Sequence, residues 1–164
     1  MIASSQSAEF IEDRRGEFLL STDPERLDFD VIHGFLTACY WAKGIPRDTV
    51  ARSIQNSICF GIYTGDTQAA FARVISDFAT YAYIADVFVL TAFRGRGLGK
   101  WIMDAIMKHP RLQGLRRWSL VTKDAHGLYS QFGFTAPKWP EIYMEIYNAG
   151  IYQGNATANP EETQ

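Results

Sequence analysis

Tyr83-Ile84-Ala85-Asp86-Val87-Phe88-Val89-Leu90-Thr91-Ala92-Phe93-Arg94-Gly95-Arg96-Gly97-Leu98-Gly99-Lys100 is the stretch that decides the fold. Tyr81 to Leu90 is apolar almost throughout, as expected of a strand covered on both faces. Three glycines follow at alternate positions, and a helix begins among them. Leu98, Trp101, Ile102, Ala105 and Ile106 fall on one side of that helix, with Lys100, Asp104 and Lys108 on another. Pro110 marks its end. Glycine admits positive φ and lets a ligand approach the main chain. The first turn of a helix carries unpaired N–H groups and a partial positive charge. Gly95, Gly97, Leu98 and Gly99 therefore frame a pocket for a phosphate or pyrophosphate, with Arg94, Arg96 and Lys100 adding charge around it. A tight turn with solvated arginines would need only one of these glycines.

Two other phosphate loops compete. A P-loop places Ser or Thr after Gly-Lys, but Gly99-Lys100 is followed by Trp101. A dinucleotide fold uses G-x-G-x-x-G after an early parallel strand, whereas the spacing here is G-x-G-x-G. Asp124 would suit a ribose contact, which keeps a nucleotide-binding oxidoreductase as a minority reading. The hairpin upstream argues against it.

Outward from the loop, Ile58 to Tyr63 and Gln68 to Ile75 read as hairpin strands around Gly65-Asp66. Glu17 to Ser21 reads as a first strand, Leu27 to Cys39 and Arg47 to Ile54 as helices. Downstream, Arg117 to Thr122 is an expected strand. Ala125 to Gln131 is a short helix capped by Asp124 and ended by Gly133, and Tyr143 to Tyr147 is an expected final strand. This order predicts a mixed α/β domain whose later part alone has crossover helices. Residues 1–12 read as a flexible segment, 13–150 as one domain and 151–164 as a disordered tail.

The totals narrow the function. A chain of 164 residues suits one domain, and 47% apolar residues suffice for a core. A net charge of −2 gives no electrostatic footprint for nucleic acid or an anionic membrane. The apolar runs fall short of the roughly 20 residues that cross a bilayer. The N-terminus lacks the basic start and apolar stretch of a secretory signal, so a cytoplasmic location is expected. Cys39 and Cys59 are too few for a disulfide framework or a zinc site and read as reduced core residues. Three scattered histidines form no metal site, so none is expected.

Arg94-Gly95-Arg96-Gly97-Leu98-Gly99 resembles the [Q/R]-x-x-G-x-[G/A] signature of the GNAT superfamily of acyl-CoA-dependent N-acetyltransferases. Ala125-His126-Gly127-Leu128-Tyr129-Ser130-Gln131-Phe132-Gly133-Phe134 resembles that family's A-x-x-L-Y-x-x-x-G-F segment. The resemblance spans Phe18 to Tyr147. It implies a three-layer domain with a mixed, mostly antiparallel sheet of six to seven strands and about four helices. It also implies acetyl-CoA as acyl donor, held at its pyrophosphate by the amides from Gly95 to Lys100. The main chain of Val87, Phe88 and Val89 would pair with the pantetheine arm. Where the family often has Asn, this chain has Thr122, whose hydroxyl can still donate. Members often pair as dimers, which makes a homodimer the assembly to test for.

The resemblance assigns Tyr129 as the acid that protonates the departing thiolate. Its plainer role is an aromatic packing on the sheet. Asp86 stands alone in an apolar strand, which implies either a base or substrate anchor, or a carboxylate satisfied by a nearby arginine. His126 has the titration range of a base but also reads as an exposed helix residue. Tyr40 and Trp41, at the end of the first helix, would wall the acceptor side and stack on a cation, or else pack as a hinge. The acceptor is a small-molecule or peptide amine that the residues do not name. A non-catalytic acyl-CoA-binding module would keep the loop without needing Tyr129.

Overall fold

The computed structural model describes residues 10–153, so most of the expected flexible start and tail lies outside the described residues. Six strands form one sheet in chain order: β1 (Glu12–Arg15), β2 (Phe18–Ser21), β3 (Ile58–Thr64), β4 (Thr67–Ser76), β5 (Tyr81–Val89) and β6 (Arg117–Ser119). Each of the first four is antiparallel to the next, and β5–β6 alone is parallel. Helices α1 (Phe29–Ala38) and α2 (Arg47–Gln55) connect β2 to β3. Helix α3 (Leu98–Lys108) makes the crossover that a parallel pair requires, and α4 (His126–Ser130) follows β6. This is the mixed, mostly antiparallel architecture that the sequence implied.

Local chemistry sets the element ends. The Asp28 carboxylate accepts from the Val31 N–H at 3.0 Å, so α1 starts at Phe29, later than the apolar period alone suggests. Gly97 sits at φ 75°, ψ 11° immediately before α3, a left-handed conformation that glycine adopts without strain. His109 and Pro110 end α3 and open a short 3-10 turn, Pro110–Leu112.

Two apolar clusters flank the sheet. On one face Leu20, Phe60, Ile62 and Val74 meet Trp101, Ile102 and Ile106 of α3 and Tyr129 of α4. On the other, Phe71 and Phe88 meet Ile32, Leu36 and Val50 of α1 and α2. Truncating a fully buried isoleucine such as Ile102 to alanine costs about 2–5 kcal/mol.

β5 changes phase midway. Phe88 pairs with Phe71 and Ala85 with Arg73, so Asp86 and Val87 together oppose Ala72. Ala82 and Ile84 lie in the α3 cluster, whereas Phe88 lies in the α1–α2 cluster. Without the extra residue all three would share one face. Asp86 itself has φ 55°, a strained region for a residue with a side chain.

Several expectations need correction. Glu12, assigned to the flexible segment, begins β1, a strand of exposed charged residues held by its pairing to β2. Tyr152, assigned to the tail, packs against the α1–α2 cluster. β6 stops at Ser119, three residues before the expected end. Tyr143 to Tyr147 forms no strand, and Met144 and Ile146 are fully exposed. α4 begins after Ala125 without a side-chain cap, so Asp124 does not cap it. The apolar continuity of β5 reflects its phase change, because Tyr81 is exposed and Asp86 to Val89 includes only one buried residue.

Candidate functional site

The loop after β5 leaves main-chain donors open. The first bond inside α3 runs from the Trp101 N–H to the Gly97 carbonyl at 3.0 Å. The N–H groups of Leu98, Gly99 and Lys100 therefore have no helical acceptor, and no side chain caps the helix. Gly95, at φ 76°, and Gly97 turn the chain, and both are exposed. Gly99 is different: it lies within the helix, and a Cβ there would meet Leu128 and Val89 at 3.8 Å, an ordinary contact. Two of the three glycines thus have a conformational reason.

The charged residues of the loop divide. Arg94 is turned back, its Nε donating to the Val89 carbonyl at 3.1 Å. Arg96 pairs with Glu17 at 3.0 Å and lies over the rings of Phe18 and Phe93. Lys100 is exposed and lines a recess of about 370 Å³ with Arg15, Arg96, Gly97, Trp101 and Asp104. A larger recess, of about 480 Å³, lies at the opposite end of β5 around Thr80 and Arg116 and has no part of the loop.

A strand edge lies open beside the loop. β6 pairs with β5 only from Tyr81–Arg117 to Tyr83–Ser119. Past Tyr83, the β6 side of β5 has no ladder partner among the described residues. Val87, Phe88 and Val89 fall in this length, which has no ladder partner, although the Val89 carbonyl accepts from Arg94 Nε. The Val87 and Val89 side chains face the α3 cluster, and Phe88 stacks on Phe35 with centroids 3.9 Å apart.

Across the opening, Thr122 Oγ1 accepts from the Ala125 N–H at 3.0 Å and so shapes the entry to α4. Tyr129 is 9% exposed and edges onto Phe134. Burial, helped by the neighbouring Tyr40, Asp124 and Tyr83, pushes its phenol up to about 12. The group therefore keeps its proton through the neutral range. His126 is exposed at the first residue of α4, as the plainer reading had it.

Asp86 is satisfied by an arginine. Its Oδ2 accepts from Arg73 Nε at 2.8 Å, with both side chains nearly buried. Its Oδ1 accepts from Trp41 Nε1 at 3.2 Å. Arg73 Nη1 also donates to Ser57 Oγ at 3.1 Å. Trp41 and Tyr40 are 40% and 57% exposed and meet edge to face at 5.0 Å. The Tyr40 hydroxyl accepts from the Lys123 N–H at 3.3 Å, and the Lys123 ammonium lies 5.7 Å from its ring. Tyr40, Trp41 and Asp86 therefore meet in one network. The sequence reading missed Arg73, although a lone cation in the apolar run Ala69 to Ile75 pairs naturally with the lone anion of the next strand.

These parts suit an acyl-CoA. The uncapped helix turn offers donors to a diphosphate, and the free β5 edge offers main-chain partners to an amide-bearing arm. No group of three His, Cys, Asp or Glu residues able to hold a metal occurs among the described residues. Both cysteines are free, and burial raises the Cys59 thiol to about 12. No helix among the described residues is long and apolar enough to cross a membrane.

Comparison with known proteins places these features among relatives. Residues 23–134 match the profile of the Acetyltransferase (GNAT) family. The chain is 34% identical to a Gibberella zeae protein described as an acetyltransferase, over 71% of this chain and 78% of that one. A crystal structure from Xanthomonas campestris pv. campestris, described as an acetyltransferase of the GNAT family, is 54% identical. It superposes with a TM-score of 0.81 over 82% of this chain and 96% of its own. An acetyltransferase structure from Clostridium acetobutylicum, solved with acetyl-CoA, shares the fold at 13% identity. Its TM-score is 0.58, over 79% of this chain and 94% of that one.

Proposed function

Because the chain belongs to the acetyltransferase (GNAT) family, we propose that it transfers an acetyl group from acetyl-CoA to a primary amine, with Tyr129 as the proton donor. The observation that carries this reading is an uncapped helix turn beside a free strand edge, with a buried, protonated phenol on the facing helix.

The donor supplies an acetyl thioester, already activated toward amines. The N–H groups from Gly95 to Lys100 hold its diphosphate, and Lys100 adds the uncommitted cation of the loop. The free edge from Val87 to Val89 orients the arm so that its acyl end meets the acceptor side. Thr122 keeps the strand-to-α4 turn in place. Tyr129 gives its proton to the sulfur as the thiol departs, which its raised pKa permits at neutral pH. Tyr40 and Trp41 wall the acceptor side. His126, at the exposed start of α4, is the residue free to accept the proton of the amine, directly or through water.

Calorimetric titration with coenzyme A and NAD tests the binding half, and thiol release over an amine panel tests the chemistry. Coenzyme A binding with amine-dependent release of thiol is expected. Preferential NAD binding overturns the reading in favour of an oxidoreductase. Coenzyme A binding without release under any amine favours a non-catalytic acyl-CoA module.

A further inference from the structure

We propose that Asp86 is a positioning residue: clamped by Arg73, its carboxylate holds the Trp41 indole across the acceptor mouth and so governs acceptor binding. This rests on the acetyl-transfer reading above.

The argument starts from what fixes Trp41. At 40% exposure its ring is not locked by core packing. It touches Phe35 with centroids 6.0 Å apart and Tyr40 at 5.0 Å, and its one hydrogen bond runs to Asp86. The direction of that bond depends in turn on Asp86. Each carboxylate oxygen has a separate partner, Arg73 on one and Trp41 on the other. Arg73 is itself held by Ser57, just beyond α2. The pair is nearly buried, so neither charge is screened by water and neither swings freely.

Position supports the same role. Asp86 is one of the two bulge residues that oppose Ala72, and its backbone is left-handed, at φ 55°. Strain of this kind persists only where the surroundings enforce it. On its other side, the Trp41–Tyr40 pair reaches Lys123, on the loop that leads to Tyr129. One chain of contacts therefore ties the end of α2 to the start of α4 across the cleft.

The experiment measures acetyl transfer to spermidine, lysine, tyramine and glucosamine, following the best acceptor in purified variants. Asp86→Ala is expected to raise the acceptor KM about tenfold, as loss of a hydrogen bond to a charged group implies. The KM for acetyl-CoA should stay within about twofold. Trp41→Phe, which deletes the N–H, should raise the acceptor KM similarly, and the double variant should be no worse than either single. Asp86→Asn keeps an acceptor oxygen for the indole and should recover most of the loss. Should a buried, unpaired Arg73 unfold that variant, Arg73→Met with Asp86→Asn removes both charges, keeps the oxygen and should show the same recovery. An unmoved acceptor KM in folded Asp86→Ala overturns the proposal, as does additivity with Trp41→Phe. So does a hundredfold fall in kcat for Asp86→Asn at unchanged acceptor KM, which would give the carboxylate to proton transfer. Absence of thiol release by the wild-type enzyme with every amine sinks the acetyl-transfer reading itself, and this inference with it.

Discussion

On the proposed reading, the donor and acceptor sides of the cleft are made of different material. The donor side is main chain: three N–H groups at the start of α3 and a free length of β5. The proposed acceptor side is side chain: Tyr40, Trp41, Arg73 and Asp86, drawn from three separate segments. Main-chain recognition needs only a local conformation, which one short run of residues can specify. A side-chain wall needs the whole fold first. The donor side is therefore suited to one constant ligand, and the acceptor side can change residue by residue without disturbing it.

This contrast predicts that the largest loss comes from bending the main chain. Gly97→Val forces a β-branched residue to φ 75°, where glycine alone is unstrained. Coenzyme A affinity by calorimetry should fall roughly a hundredfold, within the reach of 1–3 kcal/mol of strain, with the circular dichroism spectrum retained. An unchanged affinity would break the claim that the donor side is backbone. The phenol comes next. Tyr129→Phe should lower turnover by about tenfold or more while coenzyme A affinity holds, because proton donation matters only in the reaction. Near wild-type turnover from pH 7 to 9 would remove Tyr129 from that role. The pH profile sharpens this test. With the phenol raised to about 12, no alkaline decline below pH 10 should trace to Tyr129.

The loop cations rank lower still. Lys100→Ala should weaken coenzyme A binding about fivefold, and the deficit should shrink as salt is raised. Arg96→Ala should change it less than twofold, since Glu17 already engages that guanidinium. Equal effects would mean that full charges rather than amides dominate the donor side. The smallest effect lies beneath α3. His109 is buried, and its Nδ1 accepts from the Arg111 N–H, so burial lowers its pKa. The folded form favours the neutral ring. Its stabilising contribution is complete above the unfolded value near 6.5 and is lost as pH falls through the lower folded value. The Tm should therefore drop between pH 7 and 5, and His109→Asn, which keeps an acceptor but no titrating ring, should reduce that drop by a few degrees.

What the sequence disclosed follows the same division. Gly95, Gly97 and the amphipathic period of α3 announced the glycine turn and the uncapped helix start because conformation and spacing are local properties. The Gly65 hairpin was legible for the same reason. β1 was not, because Glu12 to Arg15 are exposed and carry no apolar alternation; their strand exists only through pairing with β2. Tyr143 to Tyr147 has strand composition but no strand partner among the described residues, so composition misled. Asp86 was conspicuous as a lone carboxylate, yet its partners lie 13 and 45 residues earlier in the chain, distances that only the folded sheet and the α1–α2 connection bring together. Arg96 hid a partner in the same way: its guanidinium meets Glu17, a glutamate 79 residues away that the loop sequence gives no hint of.

The bulge in β5 has one last consequence. It works like a frameshift in the pattern of inward and outward side chains, and it is confined to a single residue. Substituting Asp86 leaves that offset intact, whereas deleting it would rotate Ala85 and everything before it by half a turn relative to Phe88. Ile84 would then exchange one hydrophobic layer for the other, and the proposed cleft and both cores would be lost in the same event.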